Sequence, residues 1–236
     1  MKLVIEESLV NKVYVFKDRW DAGHKLGEKL RENKIDADIV YTIPSGGVPV
    51  GYSVAKMIGA KLDVLICRKI LIPWNREAGF GAVAPDGTYF IDEAFAEYLG
   101  LSDREIEAAL RKQLDEIKRR LASFRANKPY KPLVGKKVVV VDDGIAAGYT
   151  MRAAVSFLKK LKPSKIVVAV PTAHTKSLQL LLSEVDQIVC LNPRGGLFYA
   201  VADAYKTWYD LSENEVLDIL EKAEKEGILA YSLNRH

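Results

Sequence analysis

The sequence predicts an α/β protein in which a mainly parallel sheet is flanked by helices. The first observation is the aliphatic run at residues 138–141, which does not alternate with polar residues and is typical of a strand buried on both faces. The second is that such runs alternate along the chain with segments of helical periodicity. The third is that several runs end in short glycine-containing turns, where open α/β sheets bind their ligands.

The composition is that of an ordinary globular protein and argues against two classes of partner. The 236 residues are 49% hydrophobic and 28% charged, which is enough for one folded domain over residues 1–236. A net charge of +4, with both signs interleaved, is too small to indicate nucleic-acid binding. No apolar run approaches the length of a membrane span. We therefore expect a small-molecule partner, with no nucleic acid and no membrane involved.

The N-terminus and the cysteines predict the compartment. The first seven residues include two acids and lack the apolar core of a signal peptide. Cys67 and Cys190 lie in apolar, strand-like runs far apart in sequence, so we expect buried, reduced thiols. The three histidines share no ligand spacing, which argues against a zinc site. The sequence therefore predicts a cytoplasmic protein.

The N-terminal third predicts three strands and two helices. Asp18 is suited to cap the first helix, which we expect to end near Arg31. Gly23 and Gly27, four residues apart, lie on one face of that helix, and we expect this face to pack closely onto the sheet. The second helix is expected to end near Gly59. The strands are predicted at residues 13–16, 37–43 and 61–67.

Residues 70–130, approximately, predict an insertion in the domain that forms a small hood and a lid. Residues 70–84 show no clear period and contain glycines that would serve as hinges, so we expect a mobile lid. Trp74 belongs either to this lid or to the core of the hood. A hairpin turn at residues 84–88 and a returning strand at 89–91 follow.

Two capping boxes mark the starts of the longest later helices. Ser102 with Glu105 begins a charge-rich helix whose apolar stripe needs a partner, either in the same chain or in a second subunit. Ser212 with Glu215 begins the terminal helix, which we expect to end near residue 227. Between them we expect strands at residues 165–170 and 187–191, with a helix that ends near residue 182.

The central stretch, residues 136–150, predicts a site for a sugar phosphate. Its valine-rich strand ends at Asp142 and Asp143, and a loop of small residues then leads into a helix. The unpaired N–H groups and the positive dipole end of that helix favour an anion. The two carboxylates can accept hydrogen bonds from hydroxyl groups. A ribose phosphate therefore suits the stretch better than a bare anion.

This stretch resembles the phosphoribosyl diphosphate (PRPP) motif of type I phosphoribosyltransferases, in which an aliphatic run, two acids and a small-residue loop end in Gly-x-Thr. The resemblance implies a Rossmann-like core and Mg²⁺-dependent transfer of ribose 5-phosphate between PRPP and a nucleobase or related nitrogen base, with release of diphosphate. Asp142 and Asp143 would contact the ribose hydroxyls and the metal, although the metal's ligands stay unassigned. The loop that would hold the 5′-phosphate, of PRPP or of a nucleoside monophosphate, comprises Gly144, Ile145, Ala146, Ala147, Gly148, Tyr149 and Thr150.

Two other loops continue the resemblance on the diphosphate side. Ser45, Gly46 and Gly47 follow a predicted strand, in the place where the family cradles diphosphate with backbone amides and an arginine. Arg68 and Lys69 follow the next strand, and the orotate branch of the family uses an Arg-Lys pair there to reach the diphosphate. The family habit also suggests a homodimer. Phe198 and Tyr199, after the last strand, either stack on the base or belong to the core.

Three departures from the family pattern leave alternatives open. Ser45 stands where the arginine is usual, Ala147 where a threonine is usual, and Tyr149 where the family has a small residue. One alternative is a non-catalytic paralogue that senses PRPP or a nucleotide through a partner. Another is an unrelated phosphohydrolase that uses the two aspartates. Such enzymes usually need a nucleophilic aspartate or a two-metal cluster, and the small-residue loop provides neither.

Overall fold

The computed structural model describes residues 2–75 and 78–233, which fold around a six-stranded sheet. All its strand pairs are parallel, in the order β1-β9-β8-β7-β2-β3. A smaller antiparallel sheet has the order β4-β5-β6. The strands are β1 Leu3–Ile5, β2 Ile39–Thr42, β3 Lys61–Val64, β4 Arg68–Leu71, β5 Gly79–Val83, β6 Tyr89–Ile91, β7 Lys137–Val141, β8 Lys165–His174 and β9 Gln187–Arg194.

Helices cover both faces of the parallel sheet, and so the α/β class is confirmed. Alternate residues of β7 belong to two different cores: Val139 and Val141 pack on the side of α1, α2 and α7, whereas Val138 and Val140 pack on the side of α5 and α6. This two-sided burial explains the unbroken valine run. The helices are α1 Arg19–Glu32, α2 Gly47–Ile58, α3 Glu93–Tyr98, α4 Asp103–Arg125, α5 Tyr149–Lys160, α6 Thr175–Leu181 and α7 Glu213–Lys225.

The glycine face of α1 packs closely, but its partner is α2 and not the sheet. A Cβ atom on Gly23 would lie 2.8 Å from the carbonyl oxygen of Val50, and one on Gly27 would lie 2.8 Å from Cβ of Met57. Such distances are shorter than any normal carbon contact, so both positions require glycine. The sequence predicted the close packing correctly and the packing partner wrongly.

The predicted strand at residues 13–16 is wrong. Only Phe16 forms an isolated bridge there, to Tyr205, and Tyr14 has a positive φ of 54° that a strand does not allow. The edge of the sheet is instead β1, which pairs with β9. The N-terminal residues therefore complete the main sheet.

The segment expected to be an irregular lid is mostly a hairpin. β4 and β5 pair antiparallel across it, and Phe80 and Val83 are fully buried beneath the hood. Gly81 is needed in this pairing, because a Cβ atom there would lie 2.2 Å from the carbonyl oxygen of Phe90. Trp74 is 64% exposed and so does not belong to the core of the hood. The predicted mobile lid includes Arg76 and Glu77, which lie outside the described residues.

Both predicted capping boxes are present, at Ser102 and Ser212. Ile117 and Phe124 of α4 are buried in the core of the same chain, which supplies the partner that its apolar stripe required. Cys67 and Cys190 are buried free thiols, as expected. Within the described chain, no helix has both the length and the apolar composition that a bilayer crossing requires.

β8 and β9 run past the ends predicted for them. Their pairing continues from Thr172 opposite Asn192 to His174 opposite Arg194. These additional residues extend beyond the end of β7 and form a wall beside the loop that follows it.

Candidate active site

A cavity of about 610 Å³ opens at the carboxyl edge of the parallel sheet. Residues 142–151 form its floor and one side, between β7 and the first turn of α5. The hood contributes Lys69, Ala78 and Gly79, and the segment after β9 contributes Ala200, Val201, Ala202 and Trp208. The cavity therefore lies where open α/β sheets bind ligands.

The acid pair at the end of β7 is organised asymmetrically. Oδ1 of Asp142 accepts a hydrogen bond from the backbone N–H of Asp143 at 2.8 Å. Oδ2 of Asp143 accepts one from Nε of Arg19, also at 2.8 Å, in an ion pair whose side chains are only 15% and 7% exposed. Asp142 makes no ion pair with any residue that the structure describes. A ligand that enters the cavity therefore meets Asp142 as a carboxylate that no cationic side chain among the described residues already engages.

Arg19 is held in place from two other directions. Its Nη1 donates to the backbone oxygen of Tyr209 at 2.8 Å, and its guanidinium carbon lies 3.8 Å from the ring centroid of Trp208. Trp208 also borders the cavity. Arg19 thus joins the acid pair to the aromatic wall of the site.

Burial raises the pKa of both carboxyl groups. The pKa of Asp142 stands well above its usual range because burial, and then the neighbouring charge of Asp143, disfavour ionisation. The pKa of Asp143 is raised by burial too, although Arg19 opposes the shift. A ligand that brings a cation or hydroxyl donors to the pair would relieve this cost.

The loop after the acids is fixed to the extended part of β8. The N–H of Ile145 donates to the carbonyl oxygen of Thr172 at 3.0 Å, and the N–H of His174 donates to the carbonyl oxygen of Ile145 at 2.8 Å. The hydroxyl of Ser177 donates to the carbonyl oxygen of Ala146. The position of the loop is therefore set by the sheet before any ligand arrives.

The first turn of α5 is available to an anion. Gly148 stands at the N-cap with φ of 88°, and none of the described side chains caps the helix. Thr150, Ala147 and Gly148 all border the cavity, so the open N–H groups of this turn point towards a solvent-accessible space. Backbone N–H groups and the helix dipole together favour a phosphate at this position.

Tyr149 does not fill the cavity. Its hydroxyl donates to Oδ2 of Asp92 at 2.6 Å, and Asp92 is the N-cap of α3 in the hood. The hydrogen bond from Tyr149 is the largest influence that lowers the pKa of Asp92. The bulky residue in the loop is thus a link between α5 and the hood, and it forms part of the cavity wall.

The glycine pair of the next loop packs behind the acids. A Cβ atom on Gly47 would lie 3.0 Å from Cα of Asp142, and one on Gly46 would lie 1.9 Å from Oδ2 of Asp143. Neither glycine borders the cavity itself, nor does Ser45. Ser45 instead lies beside α4, with its hydroxyl oxygen 3.5 Å from Nη1 of Arg120.

A Gly46→Ala substitution is expected to lower the free energy of unfolding by about 1–3 kcal/mol, the usual cost of overpacking. The new methyl group would displace the Asp143 carboxylate and so disturb its ion pair with Arg19. Chemical denaturation measures the change. Gly195→Ala is the matched control, because the nearest atom to a Cβ there is 3.6 Å away. Equal stabilities of the two variants would contradict the proposed contact.

The structure separates Arg68 from Lys69. They are neighbours in β4, and only Lys69 borders the cavity. Nε of Arg68 lies 3.4 Å from the side-chain oxygen of Gln113 on α4, and burial lowers the pKa of Arg68. Strand geometry causes this difference, because successive side chains point to opposite faces.

Phe198 and Tyr199 do not border the cavity. Phe198 is 95% exposed, and Tyr199 packs its ring against the guanidinium of Arg194, 4.5 Å away. The aromatic residues that border the cavity are Tyr149 and Trp208. Trp208 was not among the residues predicted for the site. Sequence reasoning missed it because the segment around it has no period that would place its side chains. Arg19 lies in a segment, residues 18–23, that resembles an Asp-Arg-x-x-Ala-Gly sequence of the family and left a role beyond capping open for it, but nothing in that segment predicts its contact with Asp143.

The chain is similar to known proteins along most of its length. Residues 110–197 match the model of the family described as "Phosphoribosyl transferase domain". The Mycobacterium tuberculosis protein named "Putative phosphoribosyl transferase Rv0571c" is 36% identical over 212 residues, which are 90% of this chain and 48% of that protein. The crystal structure of TT1426 from Thermus thermophilus is 33% identical, with a TM-score of 0.69, and the alignment covers 88% of this chain and 98% of that one.

The chain belongs to the phosphoribosyltransferase family. The family-model match includes β7, the acid pair and the loop before α5. The chain spans about half the length of the curated relatives that it matches.

The site offers carboxylates that could hold Mg²⁺ but no closed cage. Nowhere in residues 2–75 and 78–233 do three His, Cys, Asp or Glu side chains gather to hold a metal. Mg²⁺ commonly keeps several waters and binds one or two carboxylates together with substrate phosphates. Asp142 and Asp143 fit that requirement, and Asp142 is the better placed because Arg19 already engages Asp143.

Proposed function

We propose that this chain is a Mg²⁺-dependent phosphoribosyltransferase that transfers ribose 5-phosphate between PRPP and a nucleobase or related nitrogen base, with release of diphosphate. One observation carries the proposal: the acid pair and the uncapped N-terminus of α5 share a single cavity of about 610 Å³. Because hydroxyl-accepting carboxylates and phosphate-binding amides face the same cavity, the arrangement suits a ligand that has hydroxyl groups at one end and a phosphate at the other.

In the proposed mechanism, the protein binds and orients more than it transfers protons. The loop amides and Thr150 would hold the 5′-phosphate, and the acid pair would accept hydrogen bonds from the ribose hydroxyls. When bound, Mg²⁺ supplies positive charge to the diphosphate oxygens. The bond from C1 of the ribose to diphosphate breaks, and a bond from C1 to the base nitrogen forms. Positioning and exclusion of water then account for the rate.

The diphosphate would meet cations from two elements. Lys69 borders the cavity from the hood. Arg120 on α4 lies beside Ser45, and Glu116 holds its guanidinium through a contact of 2.8 Å. The glycine loop lacks the family's arginine, and we propose that Arg120 brings a guanidinium to the same loop from a different helix.

Diphosphate release tests the proposal. The full chain is incubated with PRPP, Mg²⁺ and each of a panel of purine and pyrimidine bases, and diphosphate is measured with and without the base. We expect release that depends on one base or a small group of bases. Release of inorganic phosphate instead would favour a phosphohydrolase, and no base-dependent release would count against a transferase.

A second candidate function is a sensor that binds PRPP or a nucleotide without turnover. The ion pair between Asp143 and Arg19 favours it, because one of the two ribose-facing carboxylates already has a partner. A sensor would show ligand-dependent thermal stabilisation in the absence of product. Substantial turnover on any base would exclude it.

An Ala147→Thr substitution is expected to tighten PRPP binding roughly ten- to hundredfold, because a hydrogen bond to a charged group contributes about 1.5–3 kcal/mol. Ala147 is exposed at the cavity, so the added hydroxyl has room to reach a phosphate. Calorimetric titration with PRPP measures the change. Ala147→Val has nearly the shape of threonine without the hydroxyl and is the control. An equal response to both substitutions would contradict a phosphate at this loop.

The proposal includes a homodimer in the cytoplasm. Because the apolar stripe of α4 packs within its own chain, a dimer would have to use another surface. Light scattering of the purified chain measures the mass in solution, and a monomer at all concentrations would remove this part of the proposal.

A further inference from the structure

A second cavity, of about 390 Å³, lies on the α5 side of the sheet over β2 and β3. The segment at residues 128–136 and residues 230–232 close it from the outside. None of its lining residues borders the first cavity. Its volume falls within the range of about 300–1,000 Å³ that is usual for small-molecule sites.

The floor of this cavity contains a hydroxyl group without a partner. Tyr41 on β2 is only 2% exposed, and its hydroxyl makes no hydrogen bond to any residue in the described ranges. Among the described residues, Oγ1 of Thr42 is the only side-chain polar atom that is both sealed from solvent and without a hydrogen bond. The Tyr41 hydroxyl has no hydrogen bond either, so it must be accessible, and it opens into the cavity that Tyr41 lines. No described side-chain or backbone group occupies this hydroxyl, so it is available to a ligand that enters the cavity.

A buried ion pair forms one wall. Nη2 of Arg125 contacts Oδ2 of Asp63 at 3.1 Å, and the two side chains are 2% and 7% exposed. The guanidinium of Arg125 also lies 3.8 Å from the ring centroid of Tyr130 and 4.8 Å from that of Tyr231. This wall is polar and rigid, and it is nearly neutral because the two charges compensate each other.

The mouth of the cavity is positively charged. Lys128 and Lys131 border it and are exposed, and neither makes an ion pair with another described residue. Lys136 also borders it, but its charge is matched by Asp38 at 3.0 Å. Between the mouth and Tyr41 the walls are apolar, with Ile39 and Leu133 among them. The cavity therefore presents cations outside, an apolar passage and hydrogen-bonding groups at its inner end.

We propose that this second cavity binds a nucleoside monophosphate, with the base inserted towards Tyr41 and the phosphate held by Lys128 and Lys131. The base provides a flat apolar surface for the passage and edge groups for the Tyr41 hydroxyl. The phosphate provides the counter-charge that the two lysines lack. Because it shares no residue with the first cavity, the site does not depend on the proposed transferase function.

The position of the site allows it to influence the first cavity. Tyr41 lies on the strand that leads into the loop of Ser45 and Gly46. Arg125 lies on the same helix as Arg120, whose guanidinium reaches Ser45. One strand and one helix are therefore common to both regions.

Equilibrium dialysis of AMP, GMP, CMP and UMP tests the proposal. All measurements use the Ala147→Glu chain, in which a carboxylate in the phosphate loop would repel a nucleotide phosphate from the first cavity. We expect saturable binding of at least one nucleotide at one molecule per chain. The double variant Lys128→Glu/Lys131→Glu should weaken this binding at least tenfold. The control Lys112→Glu/Lys162→Glu changes two exposed lysines elsewhere by the same charge and should leave binding unchanged.

Tyr41→Phe separates binding from folding. Because the hydroxyl has no partner in the described chain, its removal should leave Tm without nucleotide undiminished, while the affinity falls severalfold. Absence of saturable binding by all four nucleotides would overturn the proposal. Binding that resists both Tyr41→Phe and the lysine substitutions would do the same, as would a loss of Tm in Tyr41→Phe without nucleotide. Failure of the transferase assay alone would leave these results unaffected.

Discussion

An Asp142→Asn variant is expected to lose roughly 100-fold or more in kcat/KM, the usual effect of removing one preorganised polar contact to the transition state. The same variant should unfold at a higher temperature than the unmodified chain. The reason is that Asp142 is half-buried beside Asp143, with a raised pKa, and has no cationic partner among the described residues. Sites that bind charged ligands commonly sacrifice about 0.5–2 kcal/mol of stability in this way.

The stability gain should depend on pH in a defined direction. The pKa of Asp142 is higher in the folded chain than in the unfolded chain, so the folded state binds more protons above the ordinary aspartate pKa. Stability of the unmodified chain must then fall as pH rises through the raised pKa. The advantage of Asp142→Asn should therefore be small in acid and larger near neutrality. Denaturation at several pH values, without ligand, measures this trend.

The control for this pair of measurements is Asp210→Asn. It makes the same charge change at an exposed aspartate outside the cavity. It should leave both kcat/KM and Tm close to those of the unmodified chain. If Asp142→Asn destabilised the ligand-free chain, the inferred cost of the acid pair would be wrong.

An Arg19→Met variant is expected to lose about 3 kcal/mol of stability, the lower end of the range for breaking one side of a buried ion pair. The substitution leaves the Asp143 carboxylate buried without its partner and removes the bond to the carbonyl of Tyr209. For a chain of this size, that loss corresponds to a fall in Tm of roughly 6–12 °C. Methionine keeps most of the side-chain volume, so that a cavity does not dominate the result.

A double-mutant cycle identifies the cause of the loss. Asp143→Asn in the Arg19→Met background should recover part of the stability, because no buried charge then lacks a partner. Arg111→Met is the control, since its ion pair with Glu107 is exposed, with both side chains at least 68% accessible, and its removal should change Tm little. Strictly additive effects of Arg19→Met and Asp143→Asn would show that the two residues are not coupled.

Local patterns in the sequence predicted the centre of the fold well. The valine run of β7 and the capping boxes at Ser102 and Ser212 depend on neighbours within a few residues, and all three are found in the structure. The β1 edge and the β4–β5 hairpin were missed because strand pairing depends on distant partners more than on local preference.

The candidate site was predicted only in part, because local patterns indicate contacts within one segment but not contacts between distant segments. The acids and the loop after them are contiguous, so one motif was sufficient to bring them together. Arg19 and Asp143 are 124 positions apart, and no pattern in either segment indicates their contact. Neighbours such as Arg68 and Lys69 looked equivalent in sequence, but the alternation of a strand sends them to different surroundings.

The hydroxyl of Tyr149, the first residue of α5, donates a hydrogen bond to Asp92, the N-cap residue of α3. This bond adds to other contacts between α5 and the hood, where Lys160 pairs with Asp86 and the guanidinium of Arg152 lies 4.1 Å from the ring centroid of Phe90. A tilt of α5 on binding an anion would therefore move the hood through several contacts, and Tyr149 is the contact that belongs to the proposed phosphate loop. The residue that departs most in size from the family's loop therefore links the proposed phosphate site directly to the hood.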